Sequence, residues 1–226
     1  MNIVCVLKGG GVYDKEWVRK LKDAVSRHYT KNYRFCCLTD LGDIEGVETI
    51  PLQHNWEGYW AKVELFRPDL FEGLTLYTDL DVLITRNIDR LGEDQGGFVM
   101  LEDYYPEISN STLLQFNASN KLYSDIYTYF KYNEYDIKRR YALGVNGANF
   151  GDQLYFSNWL KNSGKPALKW QEVLPRDMFM PFSYTSQLNP EIEQWYSEHP
   201  AAYVYCLGNP KFNALPKLEI VKQHWV

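Results

Sequence analysis

The amino-acid sequence predicts an α/β fold in which a mixed, mostly parallel sheet is flanked by helices. Over the first hundred residues, short apolar runs bounded by turn residues alternate with helical stretches, as is typical of parallel strands joined by crossover helices. At 226 residues, 45% of them hydrophobic, the chain is long enough for one domain with a substantial core. We therefore expect a single domain over residues 1–226, regular in residues 1–103 and more elaborate in residues 104–226.

The first predicted strand is residues 2–7, "NIVCVL", a short apolar run that ends at the turn-forming "KGGG" of residues 8–11. A helix is predicted from Asp14 to about Tyr29, with Asp14 as its N-cap. The residues that recur there at helical spacing are Trp17, Leu21, Ala24, Val25 and His28.

Two more strands are predicted at residues 33–40, "YRFCCLTD", and residues 46–52, "GVETIPL", because both are short runs of strand-forming residues. A helical stretch follows from Tyr59 to Phe66. It stops before Pro68, since the residue that precedes a proline is disfavoured in the helical conformation.

The fourth predicted strand, residues 74–84, reads "LTLYTDLDVLI" and contains two carboxylates between apolar residues, and residues 96–101 form the fifth. Side chains two positions apart on a strand share a face, so Asp79 and Asp81 would lie together unless the chain leaves the strand between them. Two ionised carboxylates that close repel, and burying them unpaired costs several kcal/mol. A positive partner is therefore expected beside them.

Two kinds of partner satisfy this requirement. The carboxylates could hold Mg²⁺ or Mn²⁺, which in turn would hold phosphate at the carboxyl end of the strand, where ligands of open α/β sheets gather. Alternatively, Asp79 and Asp81 cap the strand and face water or pair with Lys or Arg. The apolar flanks argue against exposure of the whole segment, but periodicity alone leaves both alternatives open.

The pattern is looser in the second half of the chain. Residues 111–116, "STLLQF", can form a strand, residues 121–132 an aromatic-faced helix and residues 152–161 a further helix, for which Asp152 is a candidate N-cap. From Pro166 onward the sequence is rich in proline and aromatic residues and predicts only short strands.

Charge and composition argue against several classes of protein. The formal net charge is −5 and no basic run is sustained, so nucleic acid is not an expected partner. No apolar stretch approaches the roughly 18–20 residues of a membrane span, and the amino terminus has no charged leader, so we expect a cytoplasmic protein without a transmembrane segment. The four cysteines show no CxxC spacing, which favours buried free thiols over disulfides or zinc ligands.

Residues 60–91, "WAKVELFRPDLFEGLTLYTDLDVLITRNIDRL", resemble the central stretch of glycosyltransferase family 8, the glycogenin-related group of GT-A enzymes. The shared order is a Lys at the head of a helix, a Leu-Phe pair, an apolar strand that ends in D-x-D, and then "NID-L". The resemblance implies the Rossmann-like GT-A fold of nucleotide-diphospho-sugar transferases. Residues 1–103 would form the nucleotide-binding half, and residues 104–226 the acceptor- and sugar-binding half.

The resemblance also implies an activity. The protein would move a sugar from a nucleotide-sugar donor, expected to be a UDP-sugar, to a hydroxyl group of a glycan or protein acceptor, with retention of the anomeric configuration. Asp79 and Asp81 would bind Mn²⁺ or Mg²⁺ that bridges the donor diphosphate, with Leu80 between them in the same site. Lys62 would contact phosphate or sugar and contribute to catalysis.

Further segments resemble donor-binding elements of the same family. The residues that they would contribute to the donor site are Leu7, Gly9, Gly10, Tyr13, Thr39, Asp40, Asn110, Ser111, Gly208 and Lys211. Thr112 replaces the glycine of the family's Asn-Ser-Gly segment. "GDQLYFSNWL" resembles the family's Asp-Gln helix, which would place Asp152 and Gln153 in catalytic positions near the reacting sugar.

The likeness weakens near the carboxyl terminus. Many relatives carry a histidine that completes the metal site just ahead of a glycine- and lysine-containing element. Here "YVYCLGNPKF" has Tyr205, Cys206 and Leu207 at that point, and neither His199 nor His224 has the expected spacing. Water or another residue would then complete the site, or metal binding would be weak.

Two alternative functions compete with sugar transfer. A GT-A domain could bind a nucleotide-sugar without turnover, which the missing histidine favours. An apolar strand that ends in D-x-D-V also matches the nucleophile motif of haloacid-dehalogenase-type phosphatases. That motif normally opens its domain, whereas here it follows three earlier strands. Such a phosphatase also needs a second acidic pair later in the chain, often with the second acid four positions after the first, but Phe156 stands four positions after Asp152.

Overall fold

The computed structural model of the chain describes residues 1–103, 108–141, 151–182, 198, 201–207, 211–214 and 218–226. Within these ranges, a seven-stranded sheet and a three-stranded sheet form the centre of the molecule. Four of the six strand pairings in the larger sheet are parallel. The predicted α/β class with a mixed, mostly parallel sheet is therefore confirmed.

The strands are numbered in chain order. They are β1 Asn2–Leu7, β2 Arg34–Thr39, β3 Glu48–Pro51, β4 Leu74–Thr78, β5 Val82–Ile84, β6 Val99–Glu102, β7 Ser109–Asn117, β8 Leu168–Lys169, β9 Phe179–Phe182 and β10 Tyr203–Cys206.

The helices are of two kinds. The α-helices are α1 Lys15–His28, α2 Lys121–Tyr141, α3 Gly151–Asn162, α4 Trp170–Val173 and α5 Glu219–His224. Short 3-10 helices span Gly58–Phe66, Asp89–Gly92, Arg176–Met178 and Phe212–Ala214. No helix in the described ranges combines the length and the hydropathy that crossing a bilayer requires.

The larger sheet has the strand order β3-β2-β1-β4-β7-β6-β8. Because β1 pairs in parallel with both β2 and β4, strands are added first on one side of β1 and then on the other. β7 runs antiparallel to β4 and to β6. The carboxyl ends of β1, β2, β4 and β6 therefore share one edge with the amino end of β7, and open α/β sheets bind ligands at such an edge where the strand order reverses.

Both faces of the larger sheet are buried, which explains why its strands are continuous apolar runs. On β1, Ile3 and Cys5 pack on the same side as α1, whereas Val4 packs on the same side as α2 and α3. The four cysteines are buried, as predicted.

The predicted fourth strand is wrong in one respect, because residues 74–84 do not form a single strand. β4 ends at Thr78, and β5 begins at Val82 in the smaller sheet, where it pairs with β10. The backbone N–H of Asp79 still donates to the carbonyl oxygen of Thr112 at 2.8 Å. A sheet buried on both faces offers no solvent to a carboxylate, and the break places both acids at the edge instead of in the interior.

Several other elements differ from prediction in type or length. The predicted helix at 59–66 is a 3-10 helix, and α2 continues past residue 132 to Tyr141 with a non-helical Asn133. The uncertain strand at 111–116 is a nine-residue strand in the sheet interior. The N-cap prediction is confirmed, since Asp14 accepts the backbone N–H groups of Glu16 and Trp17.

Candidate active site

A cavity of about 1030 Å³ opens at the carboxyl edge of the larger sheet, where β1 and β4 lie side by side. Its walls come from segments far apart in sequence: the loop after β1, the 3-10 helix at 58–66, the turn between β4 and β5, and the starts of β7 and α3. The end of β10 and Lys211 line it as well. The fold thus gathers polar residues from both halves of the chain into one cleft.

Asp79 lies in this cleft directly after β4 and is held by two neighbours. The Lys62 Nζ atom is 3.0 Å from Asp79 Oδ1, and the Tyr77 hydroxyl donates to the same carboxylate. Burial and the charge of Asp79 raise the pKa of Tyr77 well above its ordinary value. Tyr77 therefore stays protonated and acts as a hydrogen-bond donor that orients Asp79.

Lys62 links Asp79 to the first turn of α3. Its ammonium lies 3.1 Å from Asp152 Oδ2 and 3.2 Å from Ser111 Oγ, and the Ser111 hydroxyl donates to Asp152 Oδ2 at 2.7 Å. Burial lowers the pKa of Lys62, but Asp152 and Asp79 outweigh burial and the net shift is upward. Burial raises the pKa of Asp152, and Lys62, which it shares with Asp79, offsets only part of this effect.

The position of Asp152 differs from the N-cap alternative. Asp152 is the second residue of α3, which begins at Gly151, and its carboxylate contacts Lys62 and Ser111 across the cleft. Asp152 is buried, with 4% of the residue exposed. The sequence-predicted residues Lys62, Ser111 and Asp152 therefore form one connected group.

Asp81 is bound on the other side of the turn. The Lys211 Nζ atom is 2.6 Å from Asp81 Oδ2, and the nearby Tyr13 hydroxyl also lowers the pKa of this carboxylate. Burial and the charge of Asp79 raise the pKa of Asp81, and Lys211 offsets only part of that effect. Each acid of the D-x-D motif is thus paired with its own lysine.

Tyr205, Cys206 and Leu207, at the point where the family carries its metal-binding histidine, do not all lie in the cleft. Cys206 and Leu207 line the cavity, whereas Tyr205 is buried in the core on the α1 side of the sheet. Burial and the charge of Asp81 raise the pKa of Cys206 to about 12, so this thiol stays protonated. His224 belongs to α5, and His199 lies outside the described residues.

Asp79 and Asp81 are the two residues of the cleft that could hold a divalent cation. Among the described residues, no group of three or more His, Cys, Asp or Glu side chains is arranged to hold a metal ion. Asp79 and Asp81 supply two carboxylates, and Mg²⁺ in proteins is often bound by one or two carboxylates together with substrate phosphates and water. The donor set therefore suits a cation whose remaining ligands come from a diphosphate and solvent.

Asp40 holds the loop after β1 in place. Its Oδ1 accepts the Gly9 N–H at 2.7 Å, and its Oδ2 pairs with Lys8, which also donates to Asn55 Oδ1 at 2.9 Å. Burial alone would raise the pKa of Asp40, but the bonds from Lys8 and Gly9 lower it. Thr39 is buried at the end of β2, and neither Thr39 nor Asp40 is among the described residues that line the cavity.

The remaining predicted donor-site residues fall into three groups. Gly10, Tyr13 and Leu80 line the cavity, and Gly10 has a φ of +87°, a conformation that favours glycine. Leu7 is fully buried in the core. Gly208 lies outside the described residues.

Asp103 is a cleft residue that the motifs missed. It follows β6 and lines the cavity, and its Oδ2 accepts the side-chain amides of Asn110 at 3.3 Å and Gln153 at 3.1 Å. It thereby orients two residues that were predicted. A signal was present in the sequence, because Asp103 follows a strand that ends at the ligand-binding edge, as Lys8 does after β1.

Glu64 supports the wall of the cleft from within the core. The carboxylate is fully buried and accepts the backbone N–H groups of Gln53 at 2.7 Å and His54 at 2.9 Å. It also forms an ion pair with Arg67 at 2.9 Å. The segment that it holds leads directly to Asn55, which lines the cavity.

Replacing Glu64 with glutamine should destabilise the protein by about 3–5 kcal/mol, because the amide would face backbone donors and leave Arg67 without its carboxylate. Urea denaturation measures this loss. The matched control is Glu16→Gln on the surface of α1, where Glu16 pairs with Arg19 and both are exposed, and it should change stability by less than about 0.5 kcal/mol. A loss below about 1 kcal/mol for Glu64→Gln would contradict the assigned role.

Known structures share this fold. The glycosyltransferase GlyE of Streptococcus pneumoniae TIGR4 superposes with a TM-score of 0.61 at 16% identity, over 93% of this chain and 55% of its own. Galactosyltransferase LgtC, in complex with donor and acceptor sugar analogues, superposes with a TM-score of 0.58 at 14% identity, over 99% of this chain and 96% of its own. Mouse xyloside xylosyltransferase 1 superposes with a TM-score of 0.57 at 10% identity, over 92% of this chain and 98% of its own. No protein-family profile and no curated protein sequence matches the chain.

These superpositions confirm the predicted GT-A fold. The chain spans just over half the length of GlyE and almost the whole length of LgtC.

Proposed function

We propose that this protein is a metal-dependent glycosyltransferase that moves a sugar from a UDP-sugar to a hydroxyl group of a glycan or protein acceptor with retention of configuration. The observation that carries the proposal is the convergence of Lys62, Asp79, Asp81, Asp152 and Lys211 on one cavity at the strand-order reversal of a GT-A sheet. Such a site suits a negatively charged diphosphate beside a polar sugar.

In this reaction the bond between the anomeric carbon and the diphosphate oxygen breaks and a bond to the acceptor oxygen forms. The acceptor proton leaves with the diphosphate, which gains charge as the bond breaks. Preorganised positive charge at that point is usually a dominant catalytic contribution. Lys211 and Lys62, both on the cavity wall, would supply it from the chain, and Mg²⁺ or Mn²⁺ bound by Asp79 and Asp81 would add Lewis-acid neutralisation.

The sugar would lie beside Asp152 and Gln153. Lys62 and Ser111 fix the orientation of Asp152 through one oxygen, Oδ2, and Asp103 fixes the amide of Gln153. A carboxylate and an amide oxygen held in this way would stabilise positive charge on the anomeric carbon. This arrangement supports catalytic roles for both residues.

The nucleoside would lie near the loop after β1. Tyr13 provides an aromatic surface in the cavity, and the Asp40–Lys8–Asn55 group provides an ordered polar edge. The acceptor would approach from the open side, where Tyr59 lines the cavity and is 36% exposed. The LgtC complex, which contains donor and acceptor sugar analogues, supports a nucleotide-sugar donor and a glycan acceptor. Four buried cysteine thiols support a reducing, cytoplasmic location.

A thermal-shift panel of UDP-, GDP- and dTDP-sugars, each with and without Mn²⁺, tests this proposal. We expect stabilisation by UDP-sugars in the presence of Mn²⁺, by about 2.7 kcal/mol at a ligand concentration 100 times the dissociation constant. The GDP- and dTDP-sugars serve as matched controls for the base. Absence of stabilisation by every nucleotide-sugar would contradict the proposal.

Hydrolysis of the stabilising UDP-sugar then separates turnover from binding alone. Slow release of UDP and free sugar without an acceptor is expected of a transferase, whereas binding without release would favour the non-catalytic alternative. The pairing of both D-x-D acids with lysines favours that alternative only if the lysines stay in place when the ligand binds. Release of phosphate from a generic phosphoester would favour a phosphatase instead.

A further inference from the structure

We propose that the carboxyl-terminal half of α2 is a docking surface for an anionic lipid bilayer. The surface consists of residues 129–140 and is called the α2 surface below. It lies outside the cleft, so the proposal goes beyond sugar transfer. It is argued from exposed tyrosines, unpaired cations, a groove at a helix kink and the position of α2 beside the cleft.

Three tyrosine side chains of the α2 surface are exposed to solvent. Tyr132 is 78% exposed, Tyr135 is 75% exposed and Tyr129 is 44% exposed. Tyr123 and Tyr127 of the same helix are buried, so the packing of α2 on the core does not account for the exposed ones. A tyrosine has an apolar ring and a polar hydroxyl, and such side chains are enriched at the level of lipid headgroups.

The α2 surface is positively charged in a chain that is acidic overall. It contains four cations and two acids, whereas the net charge of the chain is −5. Lys138 pairs with Glu134 at 2.6 Å. Lys131, Arg139 and Arg140 are exposed and form no ion pair with any described residue. A negatively charged partner is therefore attracted to this face, although the net charge of the chain repels it.

A groove at the kink of α2 brings two of these cations together. The backbone is non-helical at Asn133, whose side-chain amide donates to the carbonyl oxygen of Tyr129 at 2.9 Å. The groove has a volume of about 380 Å³ and is lined by Tyr129, Asn133, Asp136, Ile137, Arg139 and Arg140. Asp136 is the one acid among these lining residues, and two guanidinium groups outnumber it. Guanidinium groups bind phosphate through paired hydrogen bonds, so the groove suits the phosphate of a lipid headgroup.

The α2 surface lies beside one wall of the cleft. Trp56 Nε1 donates to Glu134 at 2.9 Å, and the residue after Trp56, Glu57, lines the cavity. The end of α2 contacts α3, since the rings of Tyr141 and Tyr155 are 5.9 Å apart. A bilayer bound to α2 would therefore lie close to the cleft.

A bilayer accounts for both features of the α2 surface, whereas a soluble polyanion accounts only for the cations. Exposed aromatic rings beside lysine and arginine are typical of helices that lie in the plane of a membrane interface. Each Lys or Arg close to an anionic leaflet strengthens binding by about fivefold. The observations thus favour anionic lipid over an anionic glycan.

Cosedimentation of the full chain with lipid vesicles tests the proposal. We expect binding to mixed phosphatidylcholine–phosphatidylglycerol vesicles that weakens as salt is added, and binding at least about tenfold weaker to vesicles of phosphatidylcholine alone. Equal binding to both kinds of vesicle, or binding to neither, would overturn the proposal.

A charge variant locates the contact. Arg139→Ala combined with Arg140→Ala should weaken binding to the mixed vesicles by about 30-fold, because two cations are lost. The matched control is Lys161→Ala combined with Lys165→Ala, which removes two exposed cations at and beyond the end of α3 and should change the affinity by less than about twofold. An equal loss in both double variants would show general attraction of cations to lipid and would overturn the assignment to α2.

A tyrosine variant distinguishes a bilayer from a soluble polyanion. Tyr132→Ser combined with Tyr135→Ser keeps every charge and should weaken vesicle binding by at least about fivefold. Vesicle binding that this variant leaves unchanged, together with equally tight binding of heparin, would identify an anionic glycan as the partner and overturn the proposal. Thermal melting of each variant shows whether it is folded, as expected for substitutions at exposed positions.

Discussion

Replacing Asp81 with asparagine should reduce the Mn²⁺-dependent affinity for UDP by at least about 100-fold, or about 2.7 kcal/mol. The substitution removes one of two carboxylates that can hold the cation and leaves Lys211 beside a neutral amide. Asp79→Asn should have the same effect, because its carboxylate is the other candidate ligand. Calorimetry with UDP in saturating Mn²⁺ measures both losses.

The matched control for these variants is Asp125→Asn, on the exposed surface of α2, where Asp125 pairs with Lys121. Its UDP affinity should equal that of the unmodified protein. Thermal melting of each variant without ligand shows whether it is folded. Unchanged UDP affinity in folded Asp79→Asn and Asp81→Asn would refute the assignment of the diphosphate site to the D-x-D turn.

Replacing Lys62 with methionine should impair both stability and turnover. It leaves Asp79 and Asp152 without their shared ammonium at a site where Lys62 is 9% exposed and Asp152 is 4% exposed. Breaking a buried ion pair from one side costs about 3–5 kcal/mol, and losing a preorganised charge at the leaving group lowers turnover by about 100- to 1,000-fold. Urea denaturation measures the first effect, and UDP-sugar hydrolysis the second.

The stability defect of Lys62→Met should also depend on pH. Burial already raises the pKa of Asp152 in the folded protein above the ordinary value of 3.8, so the folded state binds its proton more tightly than the unfolded state does. Stability then rises as the pH falls through the folded-state pKa towards 3.8. Removing Lys62 enlarges this effect, and the variant should regain part of its lost stability when the pH is lowered from 7 to 5.

Two outcomes decide this prediction. The control Lys31→Met, at an exposed pair with Glu93, should stay within about 0.5 kcal/mol of the unmodified protein at both pH values. If the stability of Lys62→Met is normal at pH 7, or falls further at pH 5, Lys62 does not neutralise Asp79 and Asp152.

Much of the fold could be predicted because local patterns and tertiary structure agree in the first half of the chain. β1, α1 and β2 lie where apolar periodicity and the Asp14 cap place them. The second half was less predictable, since β7 lies in the sheet interior, antiparallel both to its neighbour in sequence, β6, and to the more distant β4. A short apolar run has the same composition whether it lies at an edge or in the centre, and only its partners distinguish the two.

The candidate site was predictable where residues lie in recognisable motifs. Asp79, Asp81, Lys62 and Lys211 all line the cavity. Asp103 was missed because its importance comes from contacts with Asn110 and Gln153, which lie 7 and 50 positions away. Single-domain organisation over residues 1–226 and the individual residue roles stay predictions.

The sequence by itself determined the α/β class, the order of the early elements and the presence of two acids that require positive partners, because these follow from local periodicity and from the cost of burying charge. Only the tertiary structure decided which partners those are. The break between β4 and β5 sends the two acids toward different lysines, Lys62 from the 3-10 helix and Lys211 from beyond β10. Ion pairing acts over a few ångströms in space and does not depend on distance along the chain, so no sequence pattern could have assigned those pairs.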